Sequence, residues 1–404
     1  MELHFTEKDI LESAVAEIIG DESLKSSLAS GKKLRVKLGI DPTSPNIHLG
    51  RSIPVWRLRA FQELGHEVHL IIGDFTGQVG DTSDKDAERP MLSEETIQHN
   101  LTSYLDQCWM ILNPDKKDQI HIHYNSEWLN TLTLSKLSYM ADAFSVNQFI
   151  KRELIARRLE SGSRVSLREM LYPVMQGYDS VMLKADVEIG GTDQRFNLLA
   201  GRALQEQAGQ PAQSIIMNTL INGTDGRKMS SSWGNVIALL DTPQDKFGKM
   251  MTVLDEVMID YLLVIPISAR PFTKEEMEQK IAAGENPRDL KMKLAETIVA
   301  LYHGEEEAEK TRLAFIAQFS DNQKPTDIPI VKMSELQGEG GSISLVEVLV
   351  QTELAPSKSE ARRLIEQGGV RIDDVVVQDT AAIISLTENK LIQVGKRRFV
   401  QLDA

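Results

Sequence analysis

The chain holds one cysteine, Cys108, in 404 residues, and no C-x-x-C pair. A disulfide framework and a cysteine-bound structural zinc are thereby excluded, and a reducing compartment is implied. No apolar run approaches the roughly 20 residues of a membrane-crossing helix. The start, "MELHFTEKDILESAV", has no basic-then-apolar leader. A cytoplasmic protein without a membrane partner is expected. Positive charge is also scarce: the formal net charge is −14. That excludes a protein that coats DNA or RNA non-specifically, so any RNA contact must come from a local basic face. Neither G-x-G-x-x-G nor G-x-x-x-x-G-K-[ST] occurs in the first strand-to-helix loop, which disfavours a dinucleotide site and a P-loop there.

What remains is an ordinary globular composition, 41% hydrophobic and 26% charged, at a length that suits two or three domains. In "KLRVKLGI" Leu34, Val36, Leu38 and Ile40 alternate on one face, which predicts a strand. After the loop "DPTSPNIHLGR", Ile53, Trp56, Ala60 and Leu64 recur at helical spacing up to Gly65. "HEVHLIIGDFTG" is a second strand, so a right-handed crossover opens a parallel sheet. His48 then lies beyond a strand's carboxyl end and beside a helix N-terminus, where such folds bind ligands and favour anions.

Residues 93–112 read as a helix capped by Ser93, and "QIHIHY" as a short strand with His121 and His123 on one face. With no third ligand in view, those two histidines read as a surface pair and no metal site is expected. "ADVEIGGTDQRFNLLAGRALQEQAG" repeats strand, glycine turn and helix, and the strand "QSIIMNTLI" runs into "NGTDGRKMSSSWGN". Both halves of a split sheet thus carry ligand-facing turns. From about 242 the pattern is helical, with Thr242 and Pro243 opening the first helix. Residues 320–342 read as a polar linker. In the tail, a helix opened by a Ser357–Glu360 capping box ends at Gly368, followed by strands. Basic residues cluster there at Arg362–Arg363 and at Lys396, Arg397 and Arg398.

Three glycine-bearing turns, "PNIHLGR", "GGTDQ" and "GRKMSSS", together resemble the class I aminoacyl-tRNA synthetases. His48, Leu49 and Gly50 are similar to the HIGH signature, and Lys228, Met229 and Ser230 to the start of the KMSKS loop. "KLGIDPTSPNIHLG", "IIGDFTGQVGD", "YPVMQGYD" and "IGGTDQRFN" resemble segments of the tyrosyl family, in its order. The tail resembles the RNA-binding module that family shares with a ribosomal small-subunit protein. The fold so implied is α/β. A Rossmann-like parallel-sheet catalytic domain spans 1–235, with a helical insertion at about 93–180. An α-helical anticodon-side domain follows over 236–325, a linker over 326–342 and a small α+β RNA-binding module over 343–404.

The resemblance implies ATP-driven activation of L-tyrosine and transfer to tRNA(Tyr), by a homodimer, with Mg2+ arriving on ATP rather than in a protein cage. Tyr172, Gln176 and Asp179 form one polar stripe at i, i+4 and i+7 of an otherwise apolar helix. Such a stripe either pairs internally or lines a pocket. By the resemblance, Tyr172, Gln176 and Asp81 hold the amino group of tyrosine, Asp179 takes its hydroxyl and Thr76 lines the pocket. Asp41, Thr43, Asp193 and Gln194 hold the ATP and amino-acid moieties. His48, Gly50 and Lys228 serve the phosphates, with Met229, Ser230 and Ser231 in the nucleotide loop. Lys85 and Arg89 look like the family's second mobile loop. Lys358, Arg362, Arg363, Arg371, Lys396, Arg397 and Arg398 are the RNA-binding candidates of the tail.

Two positions depart from the family pattern. Arg51 stands where HIGH ends in histidine, and Ser231 where the loop carries its second lysine. They motivate one competing reading, an RNA-binding protein on this scaffold without activation. A tryptophan-specific relative is another, disfavoured by Asp179 and by the tail.

Overall fold

The computed structural model describes residues 2–81, 92–230, 233–320, 328–336, 342–385, 387–395 and 398–403. They form two compact units, Met1–Leu313 and Ala314–Ala404. The first carries a six-stranded sheet of β1 (Val15–Ile19), β2 (Arg35–Ile40), β3 (Glu67–Ile72), β4 (Ile120–Tyr124), β5 (Val187–Gly191) and β6 (Ser214–Asn218). Its order is β1-β6-β5-β2-β3-β4, parallel throughout except for β1 against β6. The order reverses between β2 and β5, so the crevice beyond their carboxyl ends is the ligand position of such sheets.

The crossover between β2 and β3 is the Leu49–Glu63 helix, which buries Ile53, Trp56 and Ala60 as the spacing predicts. Leu64 does not join them. It caps the helix, 37% exposed, because Gly65 at φ +91° turns the chain away. The same helix buries Arg57, whose Nε donates to Asn218 Oδ1 at 2.8 Å.

β2 is buried on both faces. Val36 and Leu38 lie on one, and on the other Lys37 stands opposite Glu188 of β5 and His69 of β3. His69 in turn stands opposite His121 of β4. A row of four polar residues therefore crosses the sheet. The Leu167–Leu183 helix closes over it, with Lys37 Nζ donating to Ser180 Oγ at 2.8 Å. From Pro243 the first unit is helical, and these helices pack on the sheet part: Trp56 Nε1 donates to Tyr302 Oη at 3.0 Å.

In the second unit, strands Ile330–Lys332 (β7), Ser342–Ser344 (β8), Val370–Ile372 (β9), Val375–Val377 (β10), Ile383–Ser385 (β11), Lys390–Val394 (β12) and Arg398–Asp403 (β13) form two sheets. Their orders are β10-β9-β12-β13-β7 and β11-β8. β7 lies inside the stretch read as a linker. It adds an edge parallel to β13, and the adjoining Met333 and Leu336 enter the core of this unit. Ser357 caps the Lys358–Glu366 helix by accepting from Glu360 N at 3.2 Å. The expected reciprocal half of the box is replaced: the Glu360 carboxylate pairs with Arg363 at 2.6 Å.

Candidate active site

The loop after β2 is folded by local chemistry. His48 is the N-cap of its helix, its Nδ1 accepting from Arg51 N at 3.4 Å. The proton of the neutral ring is then on Nε2. Burial, with Arg51 and Lys228 nearby, pushes the His48 imidazole down to about 3, so it is neutral at physiological pH. A Cβ at Gly50 would come within 3.2 Å of the His48 ring, so glycine keeps room for it. Arg51 reaches the Tyr104 hydroxyl on the Glu94–Trp109 helix, and burial pushes that phenol up to about 12.

The loop is tied to the segment after "GRKMSSS". Leu49 N donates to Ile237 O at 2.9 Å and Leu239 N to Ile47 O at 2.8 Å. Asn235 holds the base of the lysine loop, accepting from Ser230 N at 2.9 Å and donating to Lys228 O at 3.2 Å. Met229 is buried beneath. Lys228 Nζ reaches Asp193 Oδ2 at 3.2 Å, across to the turn after β5. His48, Arg51, Lys228 and Asp193 thus gather on the side where the sequence expects phosphate and ribose. Ser231, Lys85 and Arg89 lie outside the described residues, as do Lys396 and Arg397 of the tail.

A chain of buried hydrogen bonds builds the other side. Asp41 accepts from Tyr172 Oη at 2.7 Å on one oxygen and from Thr76 Oγ1 at 2.8 Å on the other. Thr76 Oγ1 accepts from Asn125 Nδ2 at 2.9 Å, and Asn125 also lies 3.4 Å from Asp179 Oδ2. Trp128 Nε1 donates to Asp179 Oδ1 at 2.7 Å. A Cβ on Gly73 would sit 1.9 Å from Asp41 Oδ1, so only glycine leaves this cluster intact. Thr43 follows Asp41 in a tight turn, its N donating to Asp41 O at 2.7 Å.

Burial pushes the Asp179 carboxyl up to about 7, against the Lys37 ammonium and the hydrogen bonds from Trp128 and Asn125. Burial and the carboxylates of Asp41 and Asp81 push the Tyr172 phenol well above its usual range. Asp81 accepts from Gln194 Nε2 at 2.6 Å, and Asn197 fixes the other end of Gln194 at 2.9 Å.

Two of the expected site residues also have protein partners that the sequence did not show. Asp41, expected with the nucleotide set, is the hub that joins Tyr172 to Thr76. Gln176 donates at 3.1 Å to Glu188, which the sequence reading passed over together with Lys37, Asn125 and Trp128. One signal was available for the last two. "YNSEW" directly follows a strand, and residues beyond strand carboxyl ends line such crevices.

In the second unit the RNA-binding candidates mostly have internal partners. Lys358 pairs with Glu347, Arg363 with Glu360 at 2.6 Å, and Arg371 and Arg398 donate to the main chain at Asp374 and Leu354. Arg362 is exposed.

Known proteins share this organisation. Residues 29–320 match the family described as class I tRNA synthetases (W and Y), and residues 322–401 the tyrosine–tRNA ligase SYY-like C-terminal domain. A tyrosine–tRNA ligase of Carboxydothermus hydrogenoformans is 43% identical over 98% of this chain and 97% of its own length. One from Thermotoga maritima is 40% identical over 97% and 96%. The solved tyrosyl-tRNA synthetase of Archaeoglobus fulgidus, complexed with L-tyrosine, shares the fold at a TM-score of 0.60 and 23% identity, covering 76% of this chain and 98% of that one. With the α/β switch-point crevice, the motif turns lining it and full-length likeness in agreement, the chain belongs to the tyrosine–tRNA ligases, the class I enzymes that join tyrosine to tRNA(Tyr).

Proposed function

We propose that the two sides of the crevice divide the reaction between them. Asp179 accepts the phenolic hydroxyl of tyrosine, while Tyr172, Gln176 and Asp81 hold its α-amino group and Thr76 lines the pocket. Asp41 serves this side by orienting Tyr172. Thr43, Asp193 and Gln194 hold the ribose and the amino-acid carboxylate near the α-phosphate. The carboxylate is already ionised, so activation needs no general base: it attacks the α-phosphorus of ATP in line and displaces pyrophosphate. What the protein supplies is position and fixed positive potential.

Neutral His48 donates its Nε2–H to the phosphate as negative charge grows there. Lys228 leaves Asp193 to follow the pyrophosphate, with Ser230 and Ser231 in its loop and Arg51, Lys85 and Arg89 adding charge nearby. Mg2+ enters as the counterion of the ATP phosphates. In the second step the terminal ribose hydroxyl of tRNA attacks the tyrosyl carbonyl and AMP leaves.

The observation that carries the assignment is the buried hydrogen-bond chain from Tyr172 through Asp41, Thr76 and Asn125 to Asp179 and Trp128. So many satisfied polar groups, held on rigid elements, preorganise a pocket for a polar ligand. Exchange of pyrophosphate into ATP that depends on tyrosine is the test. Exchange with tyrosine and none with phenylalanine is expected; tRNA binding without any exchange would favour the inactive-scaffold reading.

A homodimer is part of the same reading, on the family resemblance, and the exposed side chains of Leu134 (79%), Val146 (74%) and Leu167 (77%) are the apolar groups it could cover. Sedimentation at two concentrations tests it. Among the described residues no helix is long and apolar enough to cross a membrane. A cytoplasmic location follows as part of this reading and is checked by fractionation.

A further inference from the structure

We propose that Glu67, His69 and His121 form a binding site for one divalent transition-metal ion of the zinc class, which pins edge strand β4 to β3. The sequence showed only the His121-x-His123 pair. Strand register supplies the rest, because His69 of β3 stands directly opposite His121, and Glu67 lies two residues back on the same face. One ligand atom from each of Glu67, His69 and His121 lies within 4.8 Å of the others.

His69 is the observation that points to an ion. It is 6% exposed, and its Nε2 is buried with no hydrogen-bond partner. That atom faces Glu67 Oε2 at 3.6 Å, too far for a hydrogen bond. Two bonds of about 2.1 Å would span such a gap at an angle of about 120°, a modest opening from tetrahedral. The other ring nitrogen, Nδ1, lies 3.0 Å from His123 Nε2. A ligating histidine commonly donates its second N–H to a neighbouring acceptor, which fixes its tautomer and aim. His123 fills that role here. The half-buried His121 ring stacks on that of His69, centroids 4.8 Å apart, and must turn out of that stack for its nitrogen to close the remaining distance. Water completes the coordination.

Two cations already contact Glu67. Lys33 lies 3.2 Å from Oε1, and Arg35 3.5 Å from Oε2. Lys33 can stay, on the oxygen the ion does not need. Arg35 must yield Oε2, but it keeps its bond to Leu183 O at 3.0 Å. Both pairs are exposed and thus weak competitors. Two imidazoles and one carboxylate suit zinc, cobalt or nickel rather than magnesium, which prefers an all-oxygen shell.

The test uses the full chain, stripped with a chelator and titrated with zinc chloride by calorimetry. One zinc per chain is expected, weakened at least about tenfold in both His121→Ala and Glu67→Gln and unchanged in His99→Ala, an exposed histidine elsewhere. Magnesium chloride should give no saturable heat at this site. Zinc should also raise the thermal midpoint of the parent and not of the two variants, as binding to the folded state alone requires. No saturable site in the parent, or zinc affinity retained in either variant, overturns the proposal.

Discussion

Lys37 and Glu188 face each other across β2 and β5, 2.8 Å apart, with 0% and 1% of their side chains exposed. The pair grips Gln176 at both ends: Lys37 donates to its main-chain oxygen at 2.9 Å, and Glu188 accepts from its side chain at 3.1 Å. Ser180 and Gln213 complete the shell of Glu188. A buried pair of this kind adds little net stability, but breaking it strands a charge.

Lys37→Met should therefore destabilise the fold by about 3–5 kcal/mol. A Lys37→Met/Glu188→Met double variant should recover most of that loss, because no buried charge is left behind. Urea unfolding of both variants checks the pair. Equal stability of the single variant and the parent would show that the network does not hold the sheet to the helix above it. Because Gln176 is released, the KM for tyrosine should rise more in the single variant than kcat falls.

Asp179 makes the tyrosine site sensitive to pH. Its carboxyl, pushed up by burial to about 7, accepts a phenolic proton best when ionised. The KM for tyrosine should fall as pH rises through about 7 and flatten above it. The same shift works against stability. The folded protein holds this proton where the unfolded chain has released it, so this contribution to stability falls as pH rises from about 4 to about 7. Asp179→Asn should abolish the KM inflection and lower the tyrosine/phenylalanine preference roughly ten- to a hundredfold, the cost of an impaired buried hydrogen bond. His48, neutral down to about 3, should add no inflection of its own across the working range.

Lys228→Ala removes the cation that now rests 3.2 Å from Asp193. Loss of one preorganised contact to a charged transition state typically slows the step by about 10²–10³. Single-turnover adenylate formation should drop by at least that factor while tyrosine affinity changes little. Parent-rate activation by this variant would remove the loop from the phosphate clamp. Ser231→Lys should speed activation, or leave it flat where Arg51 and Arg89 already compensate.

Deleting the residues from about 322 onward, which removes β7, Met333 and Leu336 with the rest of the second unit's core, should leave adenylate formation intact, since every activation motif belongs to the first compact unit. Transfer to tRNA should fall steeply, and residual RNA binding should depend less on salt as phosphate contacts are lost. Normal charging of tRNA by the truncated chain would reduce Arg362 and its neighbours to surface charge.

The sequence by itself determined whatever rests on neighbours along the chain. Alternating apolar residues specified β2, a β-rich apolar run closed by glycine specified β3, and apolar residues at helical spacing specified the crossover between them. The order of strand, loop and helix placed His48 at the helix start. The i, i+4, i+7 spacing put Tyr172, Gln176 and Asp179 on one stripe. These are short-range consequences of backbone geometry, legible before any tertiary contact. Only the tertiary structure decided the partners. Lys37 alternates like a solvent-facing residue, and its burial depends on Glu188, 151 positions away on a strand that inserts at the switch point. His69 becomes a neighbour of His121 only through the register of β3 and β4. The partner of Asp41, Tyr172, is brought to it only by the packing of the Leu167–Leu183 helix. Asn125 and Trp128 acquire their role from the same helix, which delivers Asp179 to them. A polar residue's periodicity states which way it points, whereas its charge partner depends on where a distant element packs. That position is set by burial of the whole sheet face, which no local stretch of sequence encodes.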